Sequence, residues 1–214
     1  MRKDSRRLVV AVFVAAVLWF VMFSPWTGVH LNFWLAMSFS ALALTILSVS
    51  FTPDLKSVLK VEKPSVQILG GILLALALWG IFWVGDKVSA WMFGFAREEV
   101  DAVYAMKTGM PSWLIALLLL FLIGPAEEFF WRGYVQRTLG VLLGGKHPQD
   151  MAFLLTTGVY ALVHVWSLNF MLVMAALVAG AIWGFVYRIC PKALPALIIS
   201  HAFWDALVFV ILPI

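Results

Sequence analysis

The stretch FLIGPAEEFFWRGYVQR, residues 121–137, places three charged side chains inside an apolar run that begins at Trp113. The charged residues are Glu127, Glu128 and Arg132. In the middle of a membrane helix, each such charge costs roughly 2.5–3.5 kcal/mol on insertion scales. Charges in such a position therefore need partners, and those partners have to come from the rest of the chain.

The composition is that of a membrane protein. Hydrophobic residues make up 64% of the 214 residues, charged residues make up 12%, and the mean hydropathy is +1.00. Ordinary soluble domains are about 45–50% apolar and about 25% charged. The net charge of +4 comes from lysines and arginines in short loops, where they set membrane topology. The expected surroundings are therefore a lipid bilayer, and no nucleic-acid partner is expected.

Seven stretches are apolar and close to the ~20 residues needed to cross a bilayer. They are 8–24, 30–50, 66–85, 112–132, 151–167, 169–188 and 193–212. Lysine and arginine alternate between the intervening loops, which predicts a cytoplasmic N-terminus. The sequence thus predicts an all-α, polytopic bundle of about seven transmembrane helices, with a multi-pass location of the bacterial inner-membrane type. The eleven tryptophans are expected mainly at lipid-facing or interfacial positions.

Ionisable residues inside the predicted spans are concentrated in the second half of the chain, and helical spacing pairs them. Glu128 and Arg132 are four residues apart and share one helix face, whereas Glu127 is turned about 100° away. We therefore expect the arginine to pair with Glu128 and to leave Glu127 free. His201 and Asp205 repeat the same spacing on the last span.

A histidine on the fifth span completes the set. His164 follows Tyr160 by four residues, so both side chains lie on one face. Because polar groups are costly in hydrocarbon, Glu127, His164 and the His201–Asp205 pair are expected to face one cavity. A carboxylate or an imidazole can take a proton from water, and imidazole N–H groups can stabilise an oxyanion. This set of residues therefore indicates amide hydrolysis by an activated water.

At these residues the sequence resembles the CPBP family, the CAAX-processing and bacteriocin-processing intramembrane proteases, which include the type II CAAX prenyl endopeptidase. Three motifs carry the resemblance, and each lies on a predicted span. They are Glu127-Glu128-x-x-x-Arg132, Tyr160-x-x-x-His164 and His201-x-x-x-Asp205. The resemblance covers about residues 112–207. We therefore expect residues 112–214 to form a catalytic core, and residues 1–111 to supply N-terminal membrane helices and an outer amphipathic loop.

The resemblance also implies catalytic residues, namely Glu127, Glu128, Arg132, His164, His201 and Asp205. By that implication Glu127 is the general base, assisted by His164. The second glutamate and the arginine organise the site, and His201 with Asp205 holds the oxyanion. Asp205 stands where asparagine is common in the family. An ionised aspartate cannot donate a hydrogen bond, so Asp205 is expected either to be protonated or to orient His201.

Several alternatives stay open from the sequence. No cofactor is expected, since the resemblance implies a metal-free protease; in a zinc-dependent version Glu127, His164 and His201 would be the ligands. A non-enzymatic immunity, scaffold or carrier protein could also contain buried charges of this kind. The expected partner is a membrane-associated protein or peptide. A prenylated C-terminus, a peptide precursor and a C-terminal sorting tail are all consistent with this expectation.

Overall fold

The computed structural model describes residues 3–214, and that range contains helices and no β-strand. The helices are α1 (Lys3–Phe23), α2 (Phe33–Phe51), α3 (Leu55–Val58), α4 (Pro64–Met92), α5 (Ala96–Ala105), α6 (Ser112–Leu142), α7 (Pro148–Val163), α8 (Phe170–Ile189) and α9 (Leu194–Ala206). Short 3-10 turns occur at Gly28–His30, His164–Ser167 and Pro191–Ala193, and α9 continues as a π-type helix over Leu207–Ile211.

Six helical segments of residues 3–214 are long and apolar enough to cross a membrane. They are α1, α2, α4, α6, α8 and Pro191–Ile211, which contains α9. The remaining predicted span corresponds to α7, a 16-residue helix that begins at Pro148 and continues into a 3-10 turn. The prediction of an all-α membrane bundle with about seven transmembrane helices is therefore confirmed.

Two helices form the centre of the bundle. In the most apolar 18-residue stretch of each span, 50% of the residues of α6 and 61% of those in the segment containing α9 are buried. In the other four spans the share is 17–33%. The α9 helix packs along α4 on one side and against α6 on the other. Outer helices expose large apolar side chains such as Phe13, Phe39 and Leu69, as contact with lipid requires. Five of the six residues expected to be catalytic thus lie on these two helices, and His164 lies at the end of α7.

The α6 helix runs ten residues past the predicted end at Arg132, to Leu142. It contains two π-type stretches, Leu119–Ile123 and Phe129–Gln136, which flank a short α-helical turn, Gly124–Glu128. Insertions of this type occur frequently at functional sites. They place both glutamates in the middle of a 31-residue helix rather than near its end.

A proline explains part of this irregularity. Pro125 has no main-chain N–H and therefore cannot donate the usual helical hydrogen bond. Immediately before it, the Gly124 N–H donates to the Leu119 carbonyl, the five-residue spacing of a π-type turn. The helix widens at this point instead of breaking, and Glu127 and Glu128 follow at once.

The prediction that the tryptophans are mainly lipid-facing or interfacial fails for part of them. Four of them are fully buried, namely Trp19, Trp34, Trp131 and Trp183. The prediction of mainly lipid-facing or interfacial tryptophans is wrong for this group, because their rings pack edge-to-face in the interior, as aromatic pairs prefer. The Trp19 and Trp131 rings, for example, have centroids 6.2 Å apart at an interplanar angle of 86°.

Candidate active site

The six residues implied as catalytic lie in the interior of the bundle, and none exposes more than 8% of its surface. They are Glu127, Glu128 and Arg132 on α6, His164 at the end of α7, and His201 and Asp205 on α9. Contacts among these residues and their neighbours link all three helices. The expectation that three separate helices present their polar residues to one region therefore agrees with the geometry.

A glycine lets the two central helices meet. A Cβ atom built on Gly124 would lie 2.6 Å from Ala202 Cα and 2.8 Å from its main-chain nitrogen. Real Cβ atoms do not approach a backbone so closely. Gly124 comes three residues before Glu127, and Ala202 directly follows His201. The close approach therefore brings the glutamates of α6 within reach of the histidine of α9.

Glu128 contacts a cation on its own helix and a histidine on α9. Its Oε2 accepts a hydrogen bond from Arg132 Nη1 at 3.1 Å, and it lies 2.9 Å from His201 Nδ1, which donates to it. The ion pair with Arg132 is the one predicted from the i, i+4 spacing. The contact with His201 joins α6 to α9. Removing one partner of a buried ion pair typically costs about 3–5 kcal/mol, so Glu128 and Arg132 depend strongly on each other.

The far side of Arg132 is tied to α8. Arg132 Nη2 donates to the Gly180 carbonyl at 2.9 Å, and one turn later Gln136 Nε2 donates to the Gly184 carbonyl, also at 2.9 Å. Both carbonyls belong to glycines one turn apart on α8, and a Cβ on Gly180 would meet Tyr160 Cδ1 at 2.7 Å. Small residues allow such close helix approach in membranes. The guanidinium is thereby fixed between α6 and α8.

Glu127 has a different environment from its neighbour. Its Oε2 accepts a hydrogen bond from the Tyr160 hydroxyl at 3.3 Å. In residues 3–214 it makes no ion pair of its own, because the arginine contacts Glu128 instead. The two adjacent carboxylates therefore differ: Glu128 is paired with a cation, whereas Glu127 keeps free capacity to accept hydrogen bonds.

His164 has a protein partner at each ring nitrogen. Nδ1 lies 2.7 Å from the Tyr160 carbonyl oxygen, which can only accept, so Nδ1 carries the proton. Trp19 Nε1, which can only donate, lies 3.1 Å from Nε2. These partners assign the neutral imidazole protonated on Nδ1. The expected help from His164 to Glu127 therefore needs water to take the place of the indole N–H.

His201 lies between two carboxyl groups. Nδ1 faces Glu128 Oε2 at 2.9 Å, and Nε2 faces Asp205 Oδ2 at 3.6 Å. The imidazole also stacks on Trp183, with centroids 4.0 Å apart and an interplanar angle of 17°. Trp183 in turn donates from Nε1 to Ser200 Oγ at 3.1 Å. The ring plane of His201 is therefore fixed on three sides, and Asp205 is placed to orient it.

A cavity of about 590 Å³ adjoins these residues. Its ionisable lining near the motifs consists of Glu127, His164, His201 and Asp205. Most of the remaining wall is apolar and comes from α2, α4, α5 and α8. Neither Glu128 nor Arg132 lines the cavity, so both support the site from behind. A long apolar group and an adjoining polar bond could occupy such a space together.

The arrangement in residues 3–214 contains no cluster of three His, Cys, Asp or Glu side chains spaced to hold a metal ion. Glu127, His164 and His201 share the cavity wall, but both nitrogens of His164 already have partners. A zinc site built from these three residues would therefore need His164 to give up its contact with Trp19.

Sequence reasoning missed two tryptophans that contact the site. Trp19 and Trp183 were not distinguishable from interfacial tryptophans, because nothing in the spacing shows which helix they face. Tyr160 was noted for its position, but its hydroxyl gave no signal. The one pattern that indicated a role for Tyr160 is its position four residues before His164, on the same helix face.

A multi-pass helical bundle with carboxylates and imidazoles around an apolar cavity has the features of a membrane-embedded protease. Residues 109–207 match the family model described as type II CAAX prenyl endopeptidase, Rce1-like. This match confirms the resemblance to the CPBP/CAAX protease family and supports a CAAX-type intramembrane endopeptidase in general. Comparisons with curated proteins and with solved structures gave no match.

Proposed function

We propose that this protein is an intramembrane endopeptidase that hydrolyses a peptide bond with a water molecule activated by Glu127. One observation carries the proposal: within residues 3–214 Glu127 lines the apolar cavity with a single hydrogen bond, from Tyr160, while Glu128 Oε2 contacts both Arg132 and His201. A carboxylate that makes no ion pair within residues 3–214, in a site of low dielectric constant, is well suited to accept a proton from water.

In the proposed reaction the water oxygen attacks the carbonyl carbon of the scissile bond while Glu127 takes one proton from the water. The carbonyl electron pair moves onto its oxygen and gives a tetrahedral oxyanion. When the C–N bond breaks, Glu127 returns the proton to the leaving nitrogen, and the new carboxyl group is released. The glutamate is thus base in the first step and acid in the second.

His201 is the proposed oxyanion donor. Its Nδ1–H is directed to Glu128, so a second proton on Nε2 gives an imidazolium that can donate into the cavity. Asp205 Oδ2 lies 3.6 Å from Nε2 and orients the ring. The direct oxyanion contact is therefore assigned to His201, with Asp205 acting through it. Preorganised donors of this kind contribute about 3–4 kcal/mol each to transition-state stabilisation.

The proposed substrate is a membrane-associated protein, either lipid-modified or carrying a C-terminal tag. The apolar wall of the cavity supports this class, because such pockets bind apolar ligands and use a few polar groups to fix orientation. A prenylated C-terminus, a peptide precursor and a sorting tail share the required chemistry. The proposed location is a bacterial-type inner membrane with the N-terminus in the cytoplasm, as the distribution of basic residues indicates.

The decisive experiment compares protein termini in membrane fractions from cells that carry wild type or Glu127→Gln at matched expression. New termini present only with wild type would support the proposal, identify the substrate and locate the cleaved bond. Identical termini, together with full complementation by the variant, would refute the peptidase and favour an immunity or scaffold protein.

The same assay separates the metal-free reaction from the zinc-dependent alternative. We expect the purified wild-type protein to cleave the identified substrate after treatment with a chelator. Loss of activity on chelation, recovery with zinc and about one zinc ion per chain by elemental analysis would instead establish a metalloprotease.

A further inference from the structure

Among residues 3–214, one hydrogen bond to the proposed catalytic residues comes from outside residues 109–207. Trp19, on α1, is fully buried, and its indole N–H donates to His164 Nε2 at 3.1 Å. The two residues are 145 positions apart in the chain. Their rings meet edge-on, with centroids 6.0 Å apart and an interplanar angle of 80°. The first helix therefore reaches the interior of the site.

The residues packed around Trp19 connect it to the other proposed site residues. Its ring also packs edge-to-face on Trp131, which packs in the same way on Tyr160, with centroids 5.3 Å apart. Tyr160 in turn accepts from His164 through its carbonyl oxygen and donates to Glu127 through its hydroxyl. Trp19 is thus linked through Trp131, Tyr160 and His164 to the proposed base, Glu127.

We propose that Trp19 is a positioning residue for His164, a role that rests on the proposed peptidase function. Its N–H donates to Nε2 and so fixes the orientation of the imidazole, while the Tyr160 carbonyl fixes the proton on Nδ1. A water molecule that enters the site competes with the indole for Nε2, and the imidazole is then already in the state that accepts a hydrogen bond. Partners that orient a functional histidine in this way typically change activity by 10–100-fold when they are removed.

The test uses Trp19→Phe, which keeps an aromatic ring in the core and removes only the N–H donor and part of the ring. The matched control is Trp91→Phe, at a tryptophan that is 86% exposed. We expect kcat to fall about tenfold in Trp19→Phe, with KM changed less than twofold, and both constants to stay at wild-type values in Trp91→Phe. The substrate is the one identified by the terminus comparison.

A second readout reports the hydrogen bond itself, and a packing role alone would not change it. In ¹⁵N-histidine-labelled protein without substrate, the His164 signals, assigned with His164→Gln, should show the Nδ1-protonated tautomer in wild type. In Trp19→Phe we expect the Nδ1 signal to keep its protonated shift, because the Tyr160 carbonyl still accepts from it, and the Nε2 signal to move, because that nitrogen has lost its donor. An unchanged His164 spectrum in Trp19→Phe would overturn the proposal, and so would a changed spectrum with wild-type kcat.

The kinetic constants and the His164 spectrum distinguish failure of the peptidase function from failure of the role proposed for Trp19. Absence of cleavage by the wild-type protein would refute the peptidase function on which the catalytic role of Trp19 depends. The spectrum of His164 would still decide whether Trp19 fixes the imidazole. Thermal unfolding of both tryptophan variants identifies any loss of kcat that comes from a destabilised bundle rather than from the missing N–H.

Discussion

Gly124→Ala should lower the rate of the proposed reaction in a bundle that still folds. The new Cβ would lie 2.6 Å from Ala202 Cα, whereas ordinary contacts begin at 3.4 Å, so α6 and α9 must separate by about 0.8 Å. That movement would stretch the 2.9 Å contact between Glu128 and His201 beyond normal hydrogen-bond length. A misplacement of about 1 Å can cost on the order of 100-fold in rate.

The expected loss of stability is similar in free energy to this change in rate, since a 30- to 100-fold fall in rate corresponds to about 2–3 kcal/mol. Overpacking costs about 1–3 kcal/mol, and replacing glycine by alanine within a helix returns up to about 1 kcal/mol. We therefore expect the free energy of unfolding to fall by no more than about 2 kcal/mol while kcat falls 30- to 100-fold. Both are measured on purified protein in detergent, by thermal unfolding and by cleavage of the identified substrate.

The control variant is Gly158→Ala on α7, because a Cβ at that glycine meets no other atom within 4 Å. This variant should keep wild-type activity and unfold at or slightly above the wild-type temperature. A folded Gly124→Ala protein with wild-type kcat would show that the close approach of α6 to α9 does not control the reaction, and the reasoning above would fail.

Three further substitutions test individual contacts. Tyr160→Phe removes the one hydrogen bond to Glu127 and should lower kcat about tenfold with little change in melting temperature; equal kcat would show that the hydroxyl is dispensable. Arg132→Met leaves Glu128 buried without its cation and should destabilise the protein by about 3–5 kcal/mol, measured by thermal unfolding, whereas wild-type stability would contradict the buried pair. Asp205→Asn should retain cleavage within about tenfold of wild type if Asp205 only orients its neighbour, and complete loss of kcat would assign it a direct role.

Much of the site followed from spacing in the sequence. The i, i+4 relation between Glu128 and Arg132 predicted their ion pair, and the same relation placed His201 and Asp205 on one face of α9. These predictions succeed because both members of each pair lie on one helix, so local geometry alone decides whether they meet.

Contacts between distant helices could not be predicted in that way. The hydrogen bond from Trp19 to His164 depends on how α1 rotates and packs, which no local pattern records. The length of α6 was also underestimated. The predicted span ends at about residue 132, whereas the buried partners Glu128 and Gly180 allow the helix to continue through Arg132. A charge marks the end of a membrane helix only where water, and not protein, solvates it.

The length of α6 has a consequence for bilayers of different thickness. At about 1.5 Å per residue its 31 residues span roughly 45 Å, well beyond a hydrocarbon core of about 30 Å. Such a helix adapts to thinner or thicker membranes by tilting. Glu127 is its middle residue, and the centre of a tilting rod changes depth least. A substrate anchored in the same bilayer would therefore meet the carboxylate at nearly constant depth in short-chain and long-chain lipids.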